Sequence, residues 1–554
     1  MVPEEHSAVI CQRGWGVVIR KWLPLVLLAG FFAQAAWLHF VTMPLTPIAD
    51  KDTWGYLSPA VSVFTNGYFK QSHRSFVYPG FLSMVLRVWQ DFSGVIFAQG
   101  ALALLGGGFL WMAWRKFGRF LPERLLENGL HTGLGLLMMA GYLLSMRHIE
   151  LVHTLRPEAV FPAFASLQLW ITLAGIEAFY VTRKVWAMFW TGLLMVVNAG
   201  LLYMLKPEYG FALAFSALPL VFALRTPGAG RRVACACLPL SAVLVFALFF
   251  SPQKRLTQAF RPNATPFLPK VLFSLHAKQI YPQLLRQAET ATDSRVFLEA
   301  LCAELKAVLD RPSKEGFCPY PTLGFDPDQI MYRSPIPKML EKNFGGGPGA
   351  AAFCYRAYFD AWIHQPLAMS FKILRELGWV YGFDASPTGC LRGSHPLQPK
   401  FAESFALIHD AGKGKSAAEL ARWPVFQRYA DSVQALSRGA PVVRQASWVS
   451  LILRGIDRTF FPLLCIFLGG CVAVLFSPRL RSATAGFVVS PMALGGMLVL
   501  FNFGMTLTGS VAHSMKVGRY IQVQFAFTLF SYFALLLMVI AVGGEFLRLR
   551  KAQG

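Results

Sequence analysis

The chain has 554 residues, 55% of them hydrophobic and only 15% charged, against about 25% charged in an ordinary soluble domain. Lys and Arg number 52 against 29 Asp and Glu, a net charge of +23. This excludes a disordered chain, a coiled coil and a small disulfide scaffold, and argues against a soluble enzyme. In a membrane protein the basic excess belongs to loops facing anionic lipid and calls for no nucleic-acid partner.

A spanning helix needs about 20 apolar residues, because backbone polar groups find no water inside a bilayer. Ten runs meet or approach that length, near 22–43, 94–114, 127–146, 159–181, 185–204, 209–224, 233–250, 459–476, 485–508 and 521–544. The first contains Ala33-Gln34-Ala35, a pattern that signal peptidases cut, but the run continues past it, so an uncleaved first span is expected. The expected fold class is an all-α polytopic membrane protein with about ten transmembrane helices.

Short basic segments set the orientation. Arg13/Arg20/Lys21, Arg115/Lys116/Arg119/Arg124, Arg183/Lys184, Arg225/Arg231/Arg232, Arg479/Arg481 and Arg548/Arg550/Lys551 all fall on one side. That side is expected to be cytoplasmic, with both termini on it, in a multi-pass membrane protein. Two loops on the other side are long, at about 44–93 and 251–445. The expected organisation is a membrane module over 1–250 with seven spans, a mostly helical extracytoplasmic domain over 251–445, and a second membrane module over 446–554 with three spans. Helical spacing in Val296 through Leu309 and Ala418 through Leu436 supports the helical domain.

Four of nine cysteines fall in that large loop, Cys302, Cys318, Cys354 and Cys390. An even number in an oxidising compartment fits two disulfides of open connectivity, or four buried thiols. No CxxC or HExxH spacing occurs, so no metal site is expected from motif.

Charge is nearly absent from the spans and collects at their outer ends. The first loop carries Asp50, Lys51, Asp52 and Tyr56, then Arg74-Ser75-Phe76-Val77-Tyr78-Pro79. Trp54, Leu57, Val61 and Phe64 form a helical stripe, with Asp52 and Tyr56 on the opposite face, which suits a helix lying in the lipid interface. Pro59 allows a second reading: Ser58 as N-cap, Pro59 at the first helical position and Gly67 at the end. A carboxylate here can take a proton from an attacking hydroxyl or ligate a divalent cation; the plain alternative is a helix cap. Three more groups share this side. They are Arg147/His148/Glu150/His153/Arg156/Glu158, Lys206-Pro207-Glu208, and His513 through Tyr520 with Lys516, Arg519 and Tyr520. Arg519 can grip a phosphate with two hydrogen bonds; Lys206 can meet one or snorkel to headgroups.

Several weak motifs occur in an order that resembles the GT-C superfamily of integral-membrane glycosyltransferases, in the branch of protein O-mannosyltransferases and lipid A aminoarabinose transferases. They are Asp52-Thr53-Trp54-Gly55-Tyr56 with Ala60 and Gly67, Arg74 through Leu82, Arg156-Pro157-Glu158-Ala159-Val160-Phe161, Lys206-Pro207-Glu208, and Val517-Gly518-Arg519-Tyr520. The resemblance covers about 22–224 and 500–545. It departs where Phe76 replaces a usual Pro and where Lys51 separates Asp50 from Asp52.

The resemblance implies transfer of a sugar, with inversion, from a polyprenyl-phosphate donor to a glycan, lipid or protein acceptor on the extracytoplasmic face. By the same resemblance Asp52 is the catalytic acid of the motif and Asp50 the fallback. Arg519 and Lys206 match positions near the donor phosphate, and Arg74 lines the cleft. Tyr56, Tyr78, Arg156, Glu158, Glu208, Lys516 and Tyr520 complete the expected substrate-binding set. No cofactor is expected with certainty, and a divalent cation is left open. The alternatives are a transporter or flippase for a lipid-linked saccharide, or an O-antigen polymerase or ligase.

Overall fold

The structure is a computed structural model. It describes residues 22–553 apart from 71–73, 124–125, 127–128, 226, 261–265, 316–317, 319, 346, 383–384, 391–392, 412–422, 486 and 515–517. The N-terminal basic segment with Arg13, Arg20 and Lys21 lies outside the described residues, as do Arg124 and Lys516.

In chain order, α1 is Trp22–Thr42, α2 Trp54–Asn66, α3 Val77–Trp89, α4 Ser93–Gly118, α5 Leu130–Leu144 and α6 Met146–Val152. Then come α7 Phe161–Thr182, α8 Val185–Leu205, α9 Pro207–Ala223 and α10 Ala229–Phe260. The large loop holds α11 Phe267–Leu275, α12 Ala277–Thr290, α13 Arg295–Glu315, α14 Ile336–Phe344, α15 Gly347–His364 and α16 Pro366–Tyr381. It continues with α17 Gln398–Ala411 and α18 Pro424–Arg438. The chain closes with α19 Ser447–Phe476, α20 Pro478–Thr484, α21 Pro491–Ala512, α22 Gly518–Val523 and α23 Phe525–Lys551. The strands among the described residues are two antiparallel segments, β1 Ser394–Pro396 and β2 Val442–Arg444.

The protein is an all-α polytopic membrane protein. Among the described residues eight helices are long and apolar enough to cross a bilayer: α1, α4, α7, α8, α10, α19, α21 and α23. The other two expected runs fall on shorter apolar helices, α5 and α9. At 1.5 Å per residue α5 rises only about 22 Å. It nevertheless runs between the same two levels as its neighbours. At one end Trp114 Nε1 donates to the His131 carbonyl (2.9 Å), near where Lys116 and Arg119 of the α4 end pair with Glu177 of α7. At the other, Gln445 donates to the Leu144 carbonyl (3.1 Å) and accepts from the Met146 amide (2.7 Å). Close helix contact depends on small residues. A Cβ at Gly106 of α4 would sit 2.8 Å from Ala163 Cα of α7, and one at Gly504 of α21 would sit 2.8 Å from Ala212 N of α9.

The first-loop helix settles between its two readings. It starts at Trp54, so Ser58 does not cap it; Pro59 lies inside, and Gly67 ends it with φ 75°. Its apolar stripe does not face lipid. Leu57 and Val61 are fully buried, and Trp54 and Phe64 pack on Phe426 and Trp423, from α18 and the residue before it. Large-loop residues from 271 to 369 gather in one apolar cluster, while those from 377 to 443 pack into the main core with the spans. None of Cys302, Cys318, Cys354 and Cys390 forms a disulfide, contrary to the first of the two expectations. Cys302 and Cys354 are buried thiols of one apolar cluster. Burial pushes the Cys354 thiol up to about 12.

Candidate active site

A short parallel bridge sets the register of the site. The Ile48 amide donates to His153 O (2.8 Å) and the Leu155 amide to Ile48 O (3.0 Å). Two residues further along each strand, Asp50 meets Arg156 in an ion pair. The large loop braces this segment. Ser404 bonds both the amide and the carbonyl of Ala49 (3.0 and 2.7 Å), and the Tyr429 hydroxyl donates to Pro47 O (3.0 Å).

The two acids of the first loop do different work. Asp50 Oδ1 accepts from the Asp52 amide (3.0 Å) and the Thr53 hydroxyl (3.3 Å), an Asx-type turn that opens α2. Asp52 is free of that duty, and both its oxygens face cations. Arg74 donates to Oδ1 at 2.9 Å, while Arg519 at 2.5 Å and Arg156 at 3.2 Å donate to Oδ2. The three guanidinium groups come from positions 22, 467 and 104 residues away.

Below Asp52 lies a more deeply buried layer. Glu158 Oε1 accepts from Lys206 at 2.8 Å and lies 3.7 Å from Arg156; Lys206 also lies 3.7 Å from Glu208. Asp52, Arg74 and Arg519 keep 28–30% of their side chains exposed, whereas Lys206 keeps 8% and Glu158 3%. The cluster therefore has a wet rim and a dry floor. Arg156-Pro157-Glu158 and Lys206-Pro207-Glu208 build that floor by the same device. The proline forces the residue before it into extended backbone (φ −147° and −144°), which swings the cation away from the helix it precedes. The glutamate then sits in the first turn, where a helix N-terminus favours negative charge.

Electrostatics follow from this geometry. Burial works to raise the Asp52 carboxyl, but Arg519, Arg74 and Arg156 outweigh it and hold the group below its ordinary range. Burial likewise opposes ionisation of Glu158, but Lys206 and Arg156 pull it down to about 2. Burial would lower Lys206; Glu158 and Glu208 raise it instead. Asp52 and Glu158 are thus ionised at neutral pH, and Lys206 carries its proton. A divalent cation at Asp52 would have to displace three guanidinium groups. Among the described residues no group of three or more His, Cys, Asp and Glu side chains is placed to hold a metal ion.

Aromatic rings separate the cations. Arg74 lies over the Tyr56 ring, and Arg519 and Lys206 both lie over the Tyr520 ring, each 5.2 Å from the centroid. The Tyr520 hydroxyl accepts from Arg519 at 3.3 Å. Tyr78 is sealed behind Tyr56, 1% exposed, and donates to Gln99 (2.7 Å), so it supports the cluster from behind. Of the second polar group, only Arg156 and Glu158 join the cluster. Arg147 and Glu150 pair with each other, and Glu150 also pairs with Lys400 of α17. His148 and His153 are buried neutral rings, lowered to about 4 by burial.

The large loop also reaches the rim. Thr322 and Ser514 share a hydrogen bond (3.0 Å), tying the 320s to the segment before Arg519. Exposed Tyr332 lies within electrostatic reach of Arg74 and Asp52. Asp328, raised by burial and by Asp326, lies within that of Arg519. Gln253 accepts from the Phe76 amide (3.0 Å) and steadies the turn that carries Arg74. Nothing in the local sequence around these residues marks them; packing of the large loop and of α10 brings them here. Among the described residues Glu158 Oε2, Glu208 Oε2 and Arg519 Nε have no hydrogen-bond partner, so the cluster has unused capacity for a polar ligand.

No protein-family model matches the chain, and no curated protein matches it significantly. Two solved structures are similar to it, crystal structures of ArnT from Cupriavidus metallidurans. One is bound to undecaprenyl phosphate (13% identity) and one is in the apo state (16%). Each alignment covers 96% of this chain and 78% of that one with a TM-score of 0.28. A likeness of that degree carries no argument about what this chain does.

Proposed function

We propose that the protein is a GT-C-type membrane glycosyltransferase. It moves a sugar from a polyprenyl-phosphate carrier to an acceptor hydroxyl at the membrane surface, in a bacterial inner membrane with the large loop outside. One observation carries the reading: Arg74, Arg156 and Arg519 converge on the Asp52 carboxylate at one end of the helix bundle. The order of motifs in the sequence supports it independently.

The chemistry follows from the charges. A sugar phosphodiester carries one negative charge, and its leaving lipid phosphate gains another as the sugar–oxygen bond breaks. Guanidinium groups and Lys206, already oriented, stabilise that added charge without reorganising. Asp52 takes the proton of the acceptor hydroxyl as its oxygen attacks the sugar carbon from the opposite face, which inverts that centre. A carboxylate clamped by three guanidinium groups is a weak base. The donor phosphate competes for the same groups, so donor binding loosens the clamp and restores the basicity of Asp52. Asp50, committed to the α2 turn and to Arg156, positions the loop. The lipid tail stays in the bilayer, which is why the site needs polar groups at one end only.

The test is mass spectrometry of cell-envelope glycans and lipids from a deletion strain complemented with wild type or Asp52→Asn. Loss of one sugar modification, restored by wild type and not by the inserted, expressed variant, is the expected result. A carrier of lipid-linked saccharide would be restored by both, and that outcome would overturn the reading.

A further inference from the structure

The opposite end of the bundle carries a second polar site that the transfer reaction does not use. A cavity of about 530 Å³ opens there between the ends of α4, α5 and α7. Arg115, Lys116 and Arg119 line it together with Trp111, Met112 and Leu126. Three cations thus face one space, and the carboxylate that answers them is Glu177, which pairs with Lys116 and with Arg119 (2.8 Å). Arg115 is exposed and makes no ion pair among the described residues. Among the described residues the three lining cations exceed the one carboxylate paired with them by a charge of about two, and the rim is open at Met112, Arg115, Arg119 and Leu126.

The apolar part of the lining is continuous with the outer surface of the spans. On α4, Leu105 (58% exposed) and Met112 (40%) lie seven residues apart on one face, two turns of the same stripe. On α5, Leu137 is exposed as well (42%). Helices whose outward faces are apolar present them to acyl chains, so a lipid running along this surface delivers its headgroup to the cations. Basic pockets between spanning helices bind anionic headgroups by this combination of charge and apolar track.

We propose that this cavity is a binding site for an anionic phospholipid. Its phosphate is held by Arg115 and by Arg119 and Lys116 in competition with Glu177, and its chains lie along α4 and α5. The site is separate from Asp52 and stands whether or not the protein transfers a sugar.

The experiment uses purified full-length protein in a neutral detergent, titrated with phosphatidylglycerol, phosphatidylcholine or inorganic phosphate, with bound lipid counted by native mass spectrometry. Wild type should retain phosphatidylglycerol over phosphatidylcholine. Arg115→Gln should weaken that binding about fivefold and Arg115→Gln/Arg119→Gln about 25-fold, the ratios equivalent to about 1 kcal/mol per basic residue. Glu177→Gln should tighten it, a gain that misfolding does not produce. Lys184→Gln, on the same face outside the cavity, should change nothing. Equal binding by wild type and the double variant, equal weakening by Lys184→Gln, no tightening in Glu177→Gln, or inorganic phosphate binding as tightly as the lipid would each overturn the proposal.

Discussion

Glu158→Gln removes one charge from the driest part of the cluster, and its cost can be worked from the contacts. Glu158 is 3% exposed at its side chain and accepts from Lys206 at 2.8 Å. Removing one partner of a buried ion pair costs about 3–5 kcal/mol, since the other charge is left without compensation. Here Glu208 remains 3.7 Å from Lys206, so the lower end, about 3 kcal/mol, is expected. For a chain of this size that is a drop of a few degrees in the melting temperature. It is best read in detergent by the loss of monodisperse protein on heating. The pH dependence gives a second signature. The Glu158 carboxyl is held down to about 2, below its unfolded value near 4.3. Its stabilising contribution is therefore complete above pH about 4.5 and disappears as pH falls toward 2. Glu158→Gln should flatten that acid limb. Glu158→Gln/Lys206→Met, which removes both charges, should recover part of the stability. A single variant that melts with wild type at pH 7 and keeps the same acid limb would refute the reasoning.

Three further expectations test other parts of the structure. Arg519→Lys keeps the charge but loses the fork that serves Asp52 and Tyr520 together, so the donor KM should rise at least tenfold, about 1.4 kcal/mol, in a transfer assay; an unchanged KM would contradict it. Arg156→Gln removes one of three cations that depress Asp52, so the acid limb of the activity–pH profile should move to higher pH, whereas an unmoved limb would separate Asp52 from the titration. Gly106→Ala drives a Cβ to 2.6 Å from the Tyr142 hydroxyl and 2.8 Å from Ala163 Cα. It should destabilise by about 1–3 kcal/mol in the same melting assay. Gly108→Ala, with nothing within 4 Å, should not.

Hydrophobic run length was enough to place the helices, because a bilayer demands about 20 apolar residues of any segment that crosses it. It could not show that α5, at 15 residues, still reaches both ends of its neighbours, because the contacts of Trp114 and Gln445 at its ends are invisible along the chain. The alternation of spans confines Asp52, Arg156, Lys206 and Arg519 to one face, so their grouping was legible despite wide separation in sequence. Which carboxylate meets the cations was not legible, since it depends on the Asp50 turn and on the bridge from Ile48 to Thr154. The α2 stripe announced a buried face but not its cover: periodicity is the same whether Trp54 and Phe64 meet lipid or, as here, Phe426 and Trp423. An even cysteine count likewise carries no geometry, and Cys302 and Cys354 serve as core residues. Tyr332 and Asp328 reach the rim through packing of the large loop, where no motif flags them.

The central claim is that Asp52 takes a proton during sugar transfer from a lipid phosphate. The most direct measurement follows release of polyprenyl phosphate from a polyprenyl-phosphate-linked sugar in proteoliposomes, with donor binding read separately on the same preparations. Asp52→Asn should keep donor binding and lose about 10²–10⁴ in turnover, the range a general base supplies. Turnover within a few-fold of wild type at equal donor occupancy would contradict the account.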